Sequence, residues 1–322
     1  MPLDDQTALG MLAPEYRAYL LRLRARGGRP LDRLSVEDAR NLMRDMQAAG
    51  LPPGAVTTET HRVDDFTVRI LRPAGVPGTL PVVVYYHGGG WVLGDFDTHA
   101  RTVAAIAVRA RTAVVFVEYA RAPEAPFPVP LEQCYRALQW VHTTARSLDL
   151  DPERISVAGD SAGGNLAAAV ALLAKRRSGP HIRLQALLYP VTDCDFNTAS
   201  YRDFESGLNL DLAGMRWFWD HYLPDPALRM DPLVSPLRAS LPELASMPAA
   251  LVITAECDVL RDEGEGFARK LAQADVPATA VRFGGVLHGF MVIDELAGSP
   301  QAVAAMDLLA ESLAHAAAHE PA

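Results

Sequence analysis

The sequence predicts an α/β fold in which a mostly parallel central sheet is covered by helices on both faces and carries a helical cap. From about residue 61, short apolar runs rich in β-branched residues alternate with longer runs of helical periodicity. Strands that are apolar on both faces and alternate with helices are typical of parallel sheets. Two segments lack this alternation. We therefore predict N-terminal cap helices over 1–50, an α/β domain over 51–194 and 237–322, and a cap insertion over 195–236.

The predicted core elements follow from these runs. Strands are expected at 66–71, 82–86, 113–119, 155–159, 184–189, 250–255 and 279–283. Helices are expected at 98–110, 131–147, 161–175, 262–274 and 301–318. Each strand is short and each helix runs for at least ten residues, as expected for a doubly covered sheet.

The cap is predicted from two kinds of signal. In the first fifty residues, apolar side chains between Tyr16 and Leu23 fall at helical spacing, and the segment 27–30 (Gly-Gly-Arg-Pro) ends that helix. A second helix is expected from Ser35, capped by its hydroxyl with Asp38 completing a capping box, to Gly50. The insertion 195–236 has an aromatic cluster and no strand pattern, which predicts a helical lid over the strand ends. Simple packing of that helix on the sheet is the alternative.

Composition excludes several classes of protein. The 322 residues are 49% hydrophobic and 21% charged with a net charge of −9, which disfavours nucleic acid and anionic membranes as partners. No apolar stretch reaches the roughly 18 residues of a membrane span, and the N-terminus lacks a secretory signal pattern. Three widely spaced cysteines, Cys134, Cys194 and Cys257, predict free thiols rather than disulfides or a zinc site. These features predict a cytoplasmic protein without metal or cofactor.

Ser161 is the predicted nucleophile. It lies between the strand 155–159 and a strong helix, within Gly159-Asp-Ser-Ala-Gly163-Gly164. A sharp strand-to-helix turn crowds its neighbours, so small residues are needed two before and two after the serine. The alternatives are a serine that only caps the helix, and a phosphate-binding loop, for which the required Gly-Lys-Ser/Thr spacing is missing.

The motif His87-Gly-Gly-Gly-Trp91 follows an early strand. Three successive glycines are costly in chain entropy, but they let backbone N–H groups approach a substrate carbonyl. The predicted donors to an oxyanion are the N–H groups of Gly89, Gly90 and Ala162, with Gly88 as a further candidate. His87 precedes the nucleophile, so it is predicted to hold the loop rather than act as base. A flexible loop is the alternative.

His288 is the predicted general base. It follows the strand 279–283 by a short loop, which places it at the carboxyl end of the last strand beside Ser161. Four other histidines follow the nucleophile and are predicted to be structural or solvated: His181, His221, His315 and His319.

Asp258 is the predicted acid of the triad. It stands about three residues past the strand 250–255 and would fix the tautomer of the base. Asp193 and Asp195, which follow the preceding strand, remain rival positions. Two neighbours are given structural roles: Asp262 is expected to cap the next helix, and Glu256 to orient the loop.

Together, these motifs resemble the hormone-sensitive-lipase-like family of esterases, in particular its bacterial branch. The resemblance covers nearly all of the chain and includes His87-Gly-Gly-Gly-Trp91, Gly159-Asp-Ser-Ala-Gly-Gly164, Asp258-Val-Leu-Arg-Asp262, which matches D-x-L-x-D, and His288-Gly-Phe290. It implies an α/β-hydrolase fold with a helical cap, and a Ser161–Asp258–His288 triad. The family's Y-R-L-A-P-E reads Tyr119-Ala-Arg121-Ala-Pro-Glu124 here. The shifted arginine puts the local support of the oxyanion loop in question.

The motifs predict two-step hydrolysis through an acyl-enzyme on Ser161, and a compact cap in a cytoplasmic setting favours short- to medium-chain acyl esters of small molecules. The resemblance adds a homodimer formed through an exposed edge strand. The side chains expected to line the substrate pocket are Trp91, Phe204, Leu208, Trp217, Val286, Leu287 and Phe290, with core packing as the alternative for each aromatic ring. Two other functions remain open. One is hydrolysis of an activated amide or formamide, as in kynurenine formamidases. The other is a small-molecule receptor like plant gibberellin receptors, which lack the base.

Overall fold

An eight-stranded sheet organises the chain in the computed structural model, which describes residues 3–27 and 29–318. The strands are β1 (Val56–Val63), β2 (Phe66–Pro73), β3 (Leu80–Tyr86), β4 (Ala113–Glu118), β5 (Leu150–Asp160), β6 (Leu184–Leu188), β7 (Ala249–Cys257) and β8 (Ala278–Leu287). Their order across the sheet is β1-β2-β4-β3-β5-β6-β7-β8. Only the β1–β2 and β2–β4 pairs are antiparallel, so the predicted mostly parallel sheet is confirmed.

Helices cover this sheet on both faces. They are α1 (Asp5–Met11), α2 (Pro14–Ala25), α3 (Val36–Met46), α4 (Phe96–Ala110), α5 (Val129–Thr144), α6 (Ala162–Arg176), α7 (Ala199–Asp203), α8 (Leu212–Tyr222), α9 (Leu241–Leu244), α10 (Arg261–Gln273) and α11 (Pro300–Ala318). Helices α4 and α11 pack together against the sheet, and α5 and α6 form a second pair. Since β3 to β6 are buried almost throughout, the two pairs cover opposite faces.

Three of the described helices and strands were missed by the sequence prediction: α1, β1 and the four-residue helix α9. Helix α1 precedes the two expected N-terminal helices; it has only seven residues, begins after an Asp4 cap, and buries a single side chain, Ala8. Strand β1 lies at the edge of the sheet with most of its residues exposed, so its sequence carries neither apolar alternation nor a continuous apolar run.

Two expected ends also differ. The Ser35 hydroxyl accepts a hydrogen bond from the Asp38 N–H at 3.1 Å, which confirms the cap, but the Asp38 carboxylate lies 3.9 Å from Arg29 and does not complete the box. Helix α3 stops at Met46 rather than Gly50. The predicted stop of the preceding helix includes Gly28, which lies outside the described residues.

Segment 195–236 contains helices and no strand, as expected. It contacts the N-terminal helices through two hydrogen bonds: the Leu3 N–H donates to the Asp203 carbonyl at 3.3 Å, and Arg24 donates to the Gly207 carbonyl. Arg24 also pairs with Asp5, so one guanidinium ties α1, α2 and the insertion together. In the described part of the chain no helix is long and apolar enough to cross a membrane.

Candidate active site

Ser161 lies in the turn that joins β5 to α6. Its backbone φ is 54°, a value that residues other than glycine rarely adopt. A Cβ atom added to Gly159 would come closer than 3.0 Å to the Gly163 carbonyl, and one added to Gly163 would meet the Tyr86 carbonyl just as closely. The two glycines therefore make the turn possible. Among the described residues the Ser161 hydroxyl forms no capping bond to α6, so a serine that only caps the helix is not what the structure contains.

Ser161, His288 and Asp258 form one chain of hydrogen bonds. His288 Nε2 lies 2.9 Å from Ser161 Oγ, and His288 Nδ1 lies 2.7 Å from Asp258 Oδ2. Because the carboxylate can only accept, Nδ1 carries the proton and Nε2 is left to accept from the serine hydroxyl. Asp258 is 1% exposed, so little water competes for its bond to the imidazole. The arrangement suits a serine whose proton is to be removed.

The rival carboxylates lie elsewhere. Asp193 accepts from Arg238 Nε at 2.7 Å, and Asp195 accepts from the Asn197 N–H at 3.0 Å. The expectation that Asp262 caps α10 is wrong: the helix begins at Arg261, and the Asp262 carboxylate instead accepts from the Ser200 N–H at 2.7 Å.

Glu256 fixes the loop before the histidine, as expected, since its Oε2 accepts from the Gly285 N–H at 2.7 Å. The strand itself is longer than predicted, because β8 continues through Gly284 and Gly285 to Leu287. His288 is therefore the first residue after a strand rather than part of a free loop. Of the remaining histidines, His221 bonds the Trp217 carbonyl within α8, His181 is exposed before β6, and His319 lies outside the described residues.

Three backbone N–H groups are left open beside Ser161. Gly89 and Gly90 both have positive φ, 103° and 60°, and no group among the described residues accepts from their N–H groups or from that of Ala162. The prediction that the Gly88 N–H could serve as a further oxyanion donor is wrong. Its N–H donates to Asp160 Oδ1 at 2.9 Å and is not free to bind an oxyanion.

Asp160 is a structural anchor that the sequence analysis missed. Its buried carboxylate accepts from the Tyr85 hydroxyl at 2.7 Å as well as from Gly88, and lies 3.5 Å from His99 Nε2. Burial acts to raise the pKa of this carboxyl, but His99 and Tyr85 outweigh burial and hold the pKa below its usual value. A charged Asp160 thus ties the start of the loop 87–94, called the glycine loop below, to the turn that carries Ser161. The sequence did offer a signal for this role, since an acidic residue between Gly159 and Ser161 lies in a segment that was predicted to be buried.

His87 holds the glycine loop, as predicted. Its Nδ1 lies 2.8 Å from the Gly88 carbonyl, and its ring stacks on Tyr119 with the ring centroids 4.2 Å apart. Complete burial, with His99 nearby as a second cause, lowers the pKa of His87 to about 3. The imidazole is therefore neutral near neutral pH, which fits a structural role.

The buried His87 should make the protein acid-sensitive. An unfolded histidine takes up a proton near pH 6.5, while the native one stays neutral down to about 3. The unfolded state therefore binds the extra proton as the pH falls below 6.5, and we expect this group alone to remove about 3 kcal/mol of stability by pH 4.5. Thermal unfolding of the wild type and of His87→Asn, measured from pH 7.5 to 4.5, should show a flatter curve for the variant. Parallel curves would assign the acid sensitivity to other groups.

The residues predicted to line a substrate pocket divide into two groups. Five of the seven are fully buried in the structure: Trp91, Phe204, Val286, Leu287 and Phe290. Trp91 stacks on Tyr222 of α8 at 4.3 Å, so core packing accounts for it. Leu208 is 9% exposed and Trp217 is half-buried, so these two side chains are less completely buried than the other five.

Three residues missed as individual site residues lie closer to the reacting groups. Phe218 of α8 covers Gly90 so tightly that a Cβ added there would overlap the ring. The Tyr189 ring stands edge-on to His288 with centroids 5.1 Å apart, and Asn209 Nδ2 donates to the His288 carbonyl at 2.8 Å. Phe218 and Asn209 could not be singled out beforehand, because nothing in a helical or loop pattern tells which side chain of an insertion faces a catalytic residue. Tyr189 ends a predicted strand, and its sequence pattern does not tell that its ring lies against a histidine from another strand.

A strand-to-helix serine turn, an opposing histidine and a carboxylate on an eight-stranded sheet define an α/β hydrolase of the serine type. A family model described as alpha/beta hydrolase fold matches residues 83–292. The chain is similar to carboxylesterase NlhH of Mycobacterium tuberculosis (38% identity, 80% of this chain and 82% of that protein) and to ethyl acetate hydrolase of Pseudomonas putida (34%, 87% and 92%). It is also similar to the crystal structure of a thermostable esterase from Pseudomonas putida ECU1011 (42% identity, 96% and 98%, TM-score 0.93).

The chain therefore belongs to the α/β-hydrolase family, within its hormone-sensitive-lipase-like group of esterases. The predictions of family, fold and enzyme class are confirmed.

Proposed function

We propose that this chain hydrolyses short- to medium-chain acyl esters of small alcohols through an acyl-enzyme on Ser161. The observation that carries the proposal is the continuous Ser161–His288–Asp258 hydrogen-bond chain, with three backbone N–H groups in the adjoining turns that have no acceptor among the described residues. Further support comes from the relative named ethyl acetate hydrolase, whose name states a short ester. Phe218 of the insertion lies against Gly90, and the Trp217 ring packs against Phe218, which would limit the space for a long chain.

In the first half of the reaction, Ser161 Oγ attacks the ester carbonyl while its proton passes to His288 Nε2. Asp258 stabilises the resulting imidazolium without taking the proton itself. The carbonyl oxygen becomes an oxyanion that accepts from the N–H groups of Gly89, Gly90 and Ala162. The bond to the alcohol oxygen then breaks, and His288 returns the proton to the departing alcohol.

In the second half, a water molecule attacks the acyl-enzyme and gives its proton to His288. The same N–H groups hold the second oxyanion, the bond to Ser161 Oγ breaks, and His288 reprotonates the serine. The products are the free acid and the regenerated hydroxyl, so atoms and protons balance without a further reactant.

The test is turnover of p-nitrophenyl acetate, butyrate and octanoate, with an N-formyl anilide as the amide substrate. We expect kcat/KM to be highest for acetate or butyrate and to fall by octanoate. A preference for the formamide would move the enzyme to amide chemistry, and a wild type inert toward every substrate would reject hydrolysis.

Replacing Asp258 by Asn should lower kcat by about 10⁴-fold, because the amide can donate to Nδ1 and favour the wrong tautomer of His288. Steady-state kinetics on p-nitrophenyl butyrate measures the loss. Asp193→Asn is the matched control, since that carboxylate pairs with Arg238 and not with His288. A larger loss in Asp193→Asn than in Asp258→Asn would reassign the acid.

We further propose that segments 1–50 and 195–236 act together as one cap over the domain 51–194 and 237–322, since Arg24 and Leu3 bond across them. We also propose a cytoplasmic homodimer: the three cysteines are unpaired, and β8 is an edge strand with several exposed residues. Light scattering on the purified chain and fractionation of the source cells test these two points.

A further inference from the structure

Arg40 of α3 reaches out of the N-terminal segment to two loops at the active site. Its Nε donates to the Val92 carbonyl at 2.9 Å, and its Nη2 donates to the Ala122 carbonyl at 2.9 Å. Val92 is two residues past Gly90, in the turn that carries the open N–H groups. One guanidinium therefore bridges the glycine loop and the neighbouring loop 120–123.

Glu124 holds that guanidinium in place. Its two carboxylate oxygens accept from Arg40 Nη1 and Nη2, each at 2.7 Å. This hydrogen bonding lowers the pKa of Glu124 to about 2, so the carboxylate stays charged across the working range of an esterase. The planar fork is thus engaged on both sides, by a carboxylate on one and by backbone carbonyls on the other. A lysine ammonium cannot match this geometry, because it is a single point of charge.

The glycine loop needs such ties. Three consecutive residues, Gly89, Gly90 and Trp91, have positive φ. The turn is closed internally by the Val92 and Leu93 N–H groups, which both donate to the Gly89 carbonyl, and it is joined to the next loop by the Ala122 N–H donating to the Trp91 carbonyl at 2.9 Å.

Packing does not hold the loop from every side. A cleft of about 390 Å³, lined in part by Arg40, His87, Tyr119 and Arg121, lies beside it. Arg121, the residue that is shifted by one position in the sequence, donates to the Gly94 carbonyl at the far end of the loop. Arg40 therefore fixes the middle of the loop, next to the Gly89 and Gly90 N–H groups, and Arg121 fixes the end of the loop.

We propose that Arg40 is a positioning residue for the oxyanion hole. It holds the Val92 peptide so that the Gly89 and Gly90 N–H groups point at the reacting carbonyl, and through it the N-terminal helices act on transition-state stabilisation. The proposal rests on the ester hydrolysis proposed above.

The test compares Arg40→Met and Arg40→Lys with Arg44→Met, all in the full chain. Arg44 lies one turn further along α3 and pairs with Asp95 at 2.9 Å, without touching the glycine loop, so it controls for a lost ion pair on the same helix. Active sites are counted by titration with a fluorophosphonate, and kcat and KM for p-nitrophenyl butyrate are expressed per titrated site. A trifluoromethyl ketone, whose adduct carries an oxyanion, is used as inhibitor.

We expect kcat per site to fall roughly 10- to 100-fold in Arg40→Met and less in Arg40→Lys, with KM changed by less than about threefold. The inhibition constant of the ketone should rise by the same factor as kcat/KM falls. Arg44→Met should match the wild type.

An unchanged kcat per site in Arg40→Met, with only fewer titratable sites or a lower Tm, would overturn the proposal, since the arginine would then support folding alone. A rise in KM with kcat unchanged would overturn it too. A wild type inert toward esters would instead reject the proposed function, and this role with it.

Discussion

Ser161→Ala should lower kcat for p-nitrophenyl butyrate by about 10⁴- to 10⁶-fold, the largest effect of any single change at this site. The Ala variant keeps the backbone and the open N–H groups but lacks the hydroxyl oxygen that lies 2.9 Å from His288 Nε2. The small residual rate would come from the oxyanion hole and from substrate binding. Steady-state kinetics measures the loss, and mass spectrometry should find no fluorophosphonate adduct on the variant.

Folding should not change with it. The Ser161 hydroxyl caps no helix in the described part of the chain, and alanine meets the same backbone cost at φ 54° as serine does. Ser178→Ala is the matched control, because Ser178 also has a positive φ, 50°, but is exposed after α6. It should retain full activity. If Ser161→Ala kept more than about a hundredth of wild-type turnover while folded, the nucleophile would have to be another residue.

The triad could be predicted because parallel strands carry their ends to one edge of the sheet. Strands β5 to β7 are buried on both faces. Because buried strands are built from apolar residues, the end of each apolar run in the sequence marks where a strand stops. Asp258 and Ser161 follow such stops directly. His288 was found because it follows the predicted strand 279–283, although that strand lies at the exposed edge of the sheet and Gly284 and Gly285, interpreted as a loop, belong to β8.

The two glycines explain why this part of β8 was predicted to be a loop. Gly285 has φ of 69°, and the pairing of β7 with β8 shifts register between Ala255 and Cys257, so the strand bends there and continues. A pair of glycines is typical of a turn in sequence, and only the hydrogen bonds to the neighbouring strand reveal a bend within a strand.

The supports of the site could not be predicted, because they join positions far apart in the chain that share no periodic pattern. Asp160 meets Gly88 and His99, and Arg40 meets Val92 and Glu124. The contacts of Arg40 and of His99 depend on how helices α3 and α4 are placed against the sheet, and the contact of Asp160 with Gly88 depends on the pairing of β5 with β3. The residue types alone, a buried acid and a helix arginine, fit many other roles equally well. The correction at Gly88 has the same origin, since its N–H is occupied by a carboxylate from another strand.

The second large effect is expected from Gly163→Ala, through folding rather than chemistry. A Cβ atom on Gly163 would come closer than 3.0 Å to the carbonyl oxygen and carbon of Tyr86 and to the carbonyl carbon of His87. These are backbone atoms of β3 and the start of the glycine loop, which cannot rotate away as a side chain can. The variant must push α6 off the sheet or move the loop, at a cost of about 3 kcal/mol or more.

Gly266→Ala is the matched control, since Gly266 lies within α10 and its added Cβ would meet the Leu237 side chain at an ordinary 3.6 Å. Alanine is the better helix former, so that variant should gain up to about 1 kcal/mol. Urea unfolding of both variants and the wild type gives the two free energies. Because moving the loop displaces the Gly89 and Gly90 N–H groups, Gly163→Ala should also lose activity per folded molecule, whereas Gly266→Ala should not. A Gly163→Ala variant as stable and as active as the wild type would contradict this prediction, because it would show that the turn accommodates a methyl group beside the Tyr86 and His87 carbonyls.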